Sequence, residues 1–102
     1  MRSIRLAKLD KTRPVLVLTP EERGRFMSRL TVAPITSTAQ GLVSELPLGS
    51  ANGLDHDCVA SLDNVLTVDR QLLGRQVGAL LDSQEPVLAR AMADAFGLDL
   101  AP

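Results

Sequence analysis

The chain holds no tryptophan, no tyrosine and only two phenylalanines among its 102 residues. Aromatic platforms on which unpaired bases stack are therefore nearly absent, and any reading of nucleic acid falls to polar side chains. The single cysteine, Cys58, has no partner for an internal disulfide, which points to a reducing cytoplasm. One histidine beside one cysteine is too small a ligand set for a conventional zinc site. No apolar run approaches the ~18 residues that cross a bilayer, and the first residues lack the apolar stretch of a signal peptide. Neither membrane insertion nor export is expected. The glycines are scattered, so no phosphate-cradling loop links a strand to a helix. His-x-x-x-His, Cys-x-x-Cys and dense carboxylate clusters are missing as well. The expected site uses no metal and no cofactor.

What is present fits one small domain over residues 1–102. At 10.9 kDa, 45% hydrophobic and 23% charged, the chain has room for one core and one cleft. Its charge is unevenly spread. Residues 1–38 carry eight Lys or Arg against three acids, whereas residues 39–102 carry three against nine. The net charge of −1 hides this split. A basic first third on a near-neutral protein fits either a local polyanion site or a surface that neutralises itself.

Ser3 to Leu9 alternates loosely, with Ile4 and Leu6 on one face and Arg5 on the other, and reads as a strand. Pro14 to Thr19 is a continuous apolar run, long enough for a buried strand and too short for a helix. Pro14 opens that run, where a missing N–H does least harm, and biases Arg13 towards extended backbone. Pro20 to Ser28 reads as a charged turn with one helical turn. Arg29 to Ile35 is β-rich and exits through Thr36-Ser37-Thr38. Leu42 to Leu48, carrying Pro47, is an edge-strand candidate, and a loop follows at Gly49 to Gly53. Cys58 to Val68 and Gln76 to Leu81 read as further strands around a turn at 69–74. The one long helix comes last. Ser83 is its expected N-cap, Glu85 and Pro86 lie in its first turn, and Gly97 is its C-cap. Val87, Leu88, Ala91, Met92, Ala95 and Phe96 form one apolar stripe between them. About six short strands without crossover helices, ending in a helix, predict a mainly β fold built as a small barrel.

Few side chains are placed to do chemistry. Asp55, His56 and Asp57 are adjacent, but neighbours in extended backbone point to opposite faces and seldom converge on one ion. His56 reads as an exposed loop residue, and Cys58 as a small core residue at the start of a strand. Arg13 stands just before one buried strand and Thr36 just after another. If those strands run antiparallel, a guanidinium and a hydroxyl share one rim. A guanidinium is permanently charged, presents paired N–H donors to phosphate oxygens and stabilises charge that grows in a transition state. The plain alternative is an arginine in a surface ion pair and a threonine that closes a turn.

Arg13-Pro14-Val15-Leu16-Val17-Leu18 resembles the RPVLVV strand of the MazF/PemK family of bacterial toxins. Val32-Ala33-Pro34-Ile35-Thr36-Ser37 is similar to that family's V-x-P-I-T-S element. Gly53-Leu54, Cys58-Val59 and Asp63-Asn64-Val65-Leu66-Thr67-Val68-Asp69 follow in the family's order, then Leu73-Gly74-Arg75-Gln76-Val77-Gly78 and a terminal helix ending Phe96-Gly97-Leu98. The resemblance covers nearly the whole chain. It departs at Arg5-Leu6-Ala7, where the family has Gly-Asp-x-Trp or Tyr, and at Asp10-Lys11-Thr12, which replaces a long loop. Leu66 stands where the family often has arginine.

The resemblance implies an SH3-like barrel, a homodimer, and an endoribonuclease that needs no metal. It implies cleavage of single-stranded mRNA or rRNA by the substrate's own 2′-hydroxyl, leaving a 2′,3′-cyclic phosphate and a 5′-hydroxyl end. Arg13 would be the main catalytic residue and Thr36 its partner. Lys11, Thr12, Ser37, Thr38, Gln40, Asn64 and Thr67 would contact RNA. A MazE-like antitoxin with a flexible acidic segment would cover the groove, and operator DNA would be bound only together with it. Two other readings compete. One is a non-catalytic module of the same fold, either a gyrase poison or a DNA-binding co-repressor. The other is an assembly protein that dimerises through the Val87–Phe96 stripe.

Overall fold

In the computed structural model of the chain, which describes residues 1–99, the apolar run after Pro14 lies at the centre of the fold. It forms β2 (Thr12–Val17), paired antiparallel with β1 (Ser3–Lys8) on one edge and β3 (Arg29–Thr36) on the other. Successive side chains of a strand face opposite ways. Leu16 therefore enters a main core with Ile4, Ala33 and Ile35, while Val15 and Val17 enter a smaller one with Ala7, Leu30, Val32 and Val68. A strand covered on both faces needs apolar residues at every position, which is why the sequence does not alternate here. In β1 the expected pairing of Ile4 with Leu6 on one buried face gives way to burial of Ile4 and Ala7 in different cores. Register shifts against β7 on either side of Arg5 accompany that change of face.

Four more strands, β4 (Glu45–Leu48), β5 (Cys58–Ser61), β6 (Leu66–Asp69) and β7 (Leu73–Ala79), bring the described count to seven rather than six. Their order is β4-β5-β3-β2-β1-β7, with β6 also paired to β3. β4 and β7 stand at the two ends without pairing, so the sheet curls around its core but its ladder stays open. β4 is thus an edge strand, as Pro47 predicts.

The single strand expected over 58–68 is two strands meeting at a corner. Ile35 and Thr36 pair with Ala60 and Val59, whereas Arg29 to Val32 pair with Asp69 to Leu66. Between them Leu62–Asn64 forms a 3₁₀ turn, with Leu62 fully buried and the Asn64 Nδ2 donating to Ser61 Oγ at 2.8 Å. Leu42 and Val43 do not join β4. The Glu45 carboxylate accepts the N–H groups of Gln40 at 3.0 Å and Leu42 at 2.9 Å, which folds this segment into a turn. β7 starts at Leu73 and ends at Ala79, three residues earlier than expected at its start and two at its end, because it pairs along β1 from Ala7 to Ser3.

A single helical turn, α1 (Glu21–Gly24), joins β2 to β3, and α2 (Glu85–Phe96) ends the fold. Ser83 is not the cap of α2. A 3₁₀ turn at Asp82–Gln84 runs straight into the helix, and the N-cap position is Gln84. Gly97 does cap the C-terminus, at φ 66°, and the Leu98 N–H donates to the Ala93 carbonyl at 2.7 Å. Leu88 and Ala91 enter the main core, flanked by Met92 and Ala95. Val87 and Phe96, at the margins of the expected stripe, stay 37% and 55% exposed. Truncating Leu88 to alanine costs about 2–5 kcal/mol, because a buried leucine leaves a cavity that the surroundings fill only in part.

The loop over residues 49–57 lies directly on β7. A Cβ on Gly78 would stand 1.9 Å from the Asn52 carbonyl oxygen, so only glycine permits this approach. The buried Asn52 carboxamide completes the junction. Its Oδ1 accepts from the Gly49 N–H at 3.1 Å, and its Nδ2 donates to the Ala79 carbonyl at 3.1 Å and to Gln84 Oε1 at 2.6 Å.

Candidate active site

β2 begins and β3 ends at one rim of the sheet. Val15 pairs with Pro34 and Leu16 with Ala33; the ladder ends there, and Arg13 and Thr36 stand two residues beyond it, in line with its register. Directly opposed residues of antiparallel strands project from the same face. Arg13 and Thr36 both line a cleft of about 250 Å³, together with Thr12, Ser37, Asp55 and His56. Its apolar wall is made by Pro14, Ile35, Leu54 and Cys58. Past Ser37 and Cys58 the surface continues as a wider groove under Gly49, Asn52 and Asp57.

The guanidinium of Arg13 is held from one side. Asp10 accepts from its Nε at 3.2 Å and from its Nη2 at 3.3 Å. Those bonds leave Nη1 and the outer Nη2 proton for a ligand, and the side chain is 38% exposed. The same bonds, joined by the Lys11 N–H, hold the Asp10 carboxyl below its ordinary titration range. Asp10 was legible in the sequence only as part of a polar link; three residues before an arginine in a short loop, it is spaced to reach back to it. Thr36 Oγ1 accepts from the Thr38 N–H at 3.1 Å, so its own proton is free to point outward.

The other residues expected at the site divide. Thr12 and Ser37 line the cleft. Lys11 is exposed in the adjoining loop. Thr38 and Gln40 lie on the segment leaving β3, with the Gln40 N–H fixed on Glu45. Asn64 faces Ser61 at the corner after β5, and Thr67 Oγ1 meets Thr31 Oγ1 at 3.1 Å on the far half of β3. Neither lines the cleft.

His56 is an exposed loop residue, 62% accessible, yet the loop carries it to the wall of the cleft. Its Nδ1 lies 2.6 Å from Asp55 Oδ1. Periodicity gives no warning of this, since the placement depends on the junction of Asn52 with Gly78. Cys58 is buried at the start of β5, and burial pushes its thiol above the ordinary range, with Asp57 and Asp55 adding to the effect.

Of the eight cations in residues 1–38, only Arg13 lines the cleft. Arg2, Arg5 and Arg25 border a separate hollow of about 310 Å³ with Arg70, near α1 and the far end of β2. Arg2 is bonded to Glu85 at 2.8 Å, and Arg29 lies 3.8 Å from Asp69. Part of the basic surplus is thus neutralised by acids from later in the chain. Among the described residues, no three of His, Cys, Asp and Glu gather as metal ligands, and no helix is long and apolar enough to cross a membrane.

A family model described as the PemK-like, MazF-like toxin of type II toxin–antitoxin systems matches residues 4–96. The chain is 52% identical over 99 residues to endoribonuclease MazF3 of Mycobacterium tuberculosis, covering 97% of this chain and 96% of that one. It superposes on the M. tuberculosis toxin MazF-mt6 with a TM-score of 0.93 at 51% identity, over 96% of this chain and 99% of that one. It also shares the fold of a mycobacterial endoribonuclease solved with its cognate antitoxin, with a TM-score of 0.85 at 21% identity over 97% and 95% of the two chains.

Proposed function

The chain belongs to the PemK/MazF family of toxins from type II toxin–antitoxin systems, and we propose that it cuts single-stranded mRNA or rRNA in the cleft between Arg13 and Thr36. It is an endoribonuclease, as its relative MazF3 is named; the non-catalytic module and the assembly protein are not favoured. The observation that supports the site is the cleft at the rim where β2 begins and β3 ends, lined by both Arg13 and Thr36.

The substrate's 2′-oxygen attacks the neighbouring phosphorus and the bond to the 5′-oxygen breaks. The products are a 2′,3′-cyclic phosphate and a 5′-hydroxyl end. Negative charge grows on the non-bridging oxygens as phosphorus becomes five-coordinate. Arg13 offers those oxygens its Nη1 protons and the outer Nη2 proton, and Thr36 adds its hydroxyl. A guanidinium keeps its proton at neutral pH, so Arg13 stabilises charge and does not act as a base. These donors are protein groups, so the reaction is expected to run without a metal ion.

Thr12, Ser37 and Lys11 meet the nucleotides beside the scissile bond, and Thr38 and Gln40 those further along. Asn64 and Thr67 contact only RNA that extends well beyond the cleft. The antitoxin is a MazE-like chain whose acidic segment occupies the same cleft, drawn by Lys11 and Arg13, and operator DNA is bound only in that complex. A homodimer belongs to this reading, supported by apolar side chains left on the surface such as Leu42, Val43 and Leu66. The cytoplasm, where mRNA and ribosomes are, is the place of action.

Digestion of a long RNA in EDTA, with both new ends mapped, tests the reading. The native chain yields cyclic phosphate and 5′-hydroxyl ends, and Arg13→Ala lowers the rate by about 10²–10³-fold with its circular dichroism unchanged. Native rates in the folded Arg13→Ala variant would overturn the assignment.

A further inference from the structure

Attack by a 2′-oxygen needs a proton acceptor, and neither a guanidinium nor a threonine hydroxyl is one at neutral pH. The described cleft holds a single imidazole. We propose that His56 is the general base of the cleavage, taking the 2′-hydroxyl proton on Nε2 while Asp55 orients the ring through Nδ1. The proposal rests on the endoribonuclease reading of the same cleft.

Three observations support it. His56 and Asp55 share the wall of the cleft with Arg13 and Thr36, so an imidazole and two charge-stabilising donors border one space of about 250 Å³. The Asp55 carboxylate oxygen lies 2.6 Å from Nδ1, so a proton on Nδ1 is the one it would hold, which leaves Nε2 of the neutral ring for the 2′-hydroxyl. The loop that carries the pair is seated on β7 by Asn52 and by the close approach of Gly78, which limits its movement away from the cleft.

The groups facing His56 are few. Asp55 is on its own loop, and Arg13 is on β2 with Asp10 behind it. Cys58 on β5 is buried and holds its proton. The Asp57 carboxylate lies against Gly49, towards the neighbouring groove.

The protons balance. Neutral His56 takes one from the 2′-hydroxyl as the oxygen–phosphorus bond forms, the departing 5′-oxygen takes one from water, and His56 returns its proton to solvent. RNA becomes cyclic phosphate and a 5′-hydroxyl end with no oxidant, metal or second substrate.

The test compares the native chain with His56→Gln and Asp55→Asn on one oligoribonucleotide across a range of pH. In His56→Gln we expect kcat to fall by about 10²-fold with KM nearly unchanged, and the acidic limb of the pH–rate profile to vanish. Asp55→Asn keeps that limb and loses about 10-fold in kcat. An oligonucleotide with a 5′-sulfur leaving group restores no rate to His56→Gln, because a better leaving group bypasses a missing acid and not a missing base. Native kcat and profile in His56→Gln, a change confined to KM, or rescue by the sulfur substrate would each overturn the base role. An inactive native chain would instead remove the endoribonuclease reading beneath it.

Discussion

Asp10 grips Arg13 through two nitrogens of one guanidinium, Nε at 3.2 Å and Nη2 at 3.3 Å. The pair is exposed, so it contributes little to stability, but it aims the remaining donors across the cleft. Asp10→Asn is expected to lower kcat by about tenfold while shifting folding stability by less than about 0.5 kcal/mol. Steady-state cleavage and a urea melt check the two halves; an unchanged kcat would show that Arg13 needs no such hold.

Two carboxyls are expected to hold their loops to lower pH than ordinary carboxylates do. Backbone N–H groups of Leu42 and Gln40 favour the charged form of Glu45, and Arg13 favours that of Asp10, so both titrate below their usual values. A depressed carboxyl stabilises the fold above its unfolded titration point, and that contribution is lost as pH falls through the folded one. The Gln40 and Leu42 amide signals should therefore keep their hydrogen-bonded positions through the ordinary Glu range and move only below it. Glu45→Gln should abolish that titration in an NMR series.

Gly78→Ala is expected to destabilise the chain by about 2–3 kcal/mol, since its Cβ meets the Asn52 backbone rather than a movable side chain. Thermal melting reads this as a fall of about 10–20 °C for a domain of this size. A native melting temperature would mean that the loop leaves β7 at no cost.

Cys58 should resist alkylation. It is 8% exposed and its thiol is pushed up by burial, so thiolate is scarce and shielded at neutral pH. Iodoacetamide at pH 8 should label the folded chain at least about tenfold more slowly than the urea-unfolded chain. Equal rates would place the thiol on the surface.

The elements the sequence revealed are those governed by local chemistry. The unbroken Pro14–Leu18 run announces a doubly covered strand, and Gly97 ends α2 where its freedom at positive φ is needed. That Arg13 and Thr36 share one rim was legible because each stands at the end of such a strand and the two strands run antiparallel. The corner at Leu62 was not, because β3 exchanges β6 for β5 along one edge and no composition signal marks that handover. Ser83 looks like a cap, yet the preceding 3₁₀ turn moves the helix start past it. His56 is the exposed loop residue the sequence suggests, but its place at the cleft wall was not legible, for the same reason as the corner: a loop's destination is set by partners distant in sequence, here Asn52 and Gly78.

Arg13 is paired to Ala7 of β1 and Thr36 to Val59 of β5, so each is held by a strand pair rather than by a free loop, and thermal loosening at the rim cannot easily pull them apart. An enzyme built this way is poorly suited to being switched off by distortion. On the proposed site, an inhibitor that acts by filling the cleft should be displaced without any refolding of the chain, and its release should restore full turnover without delay.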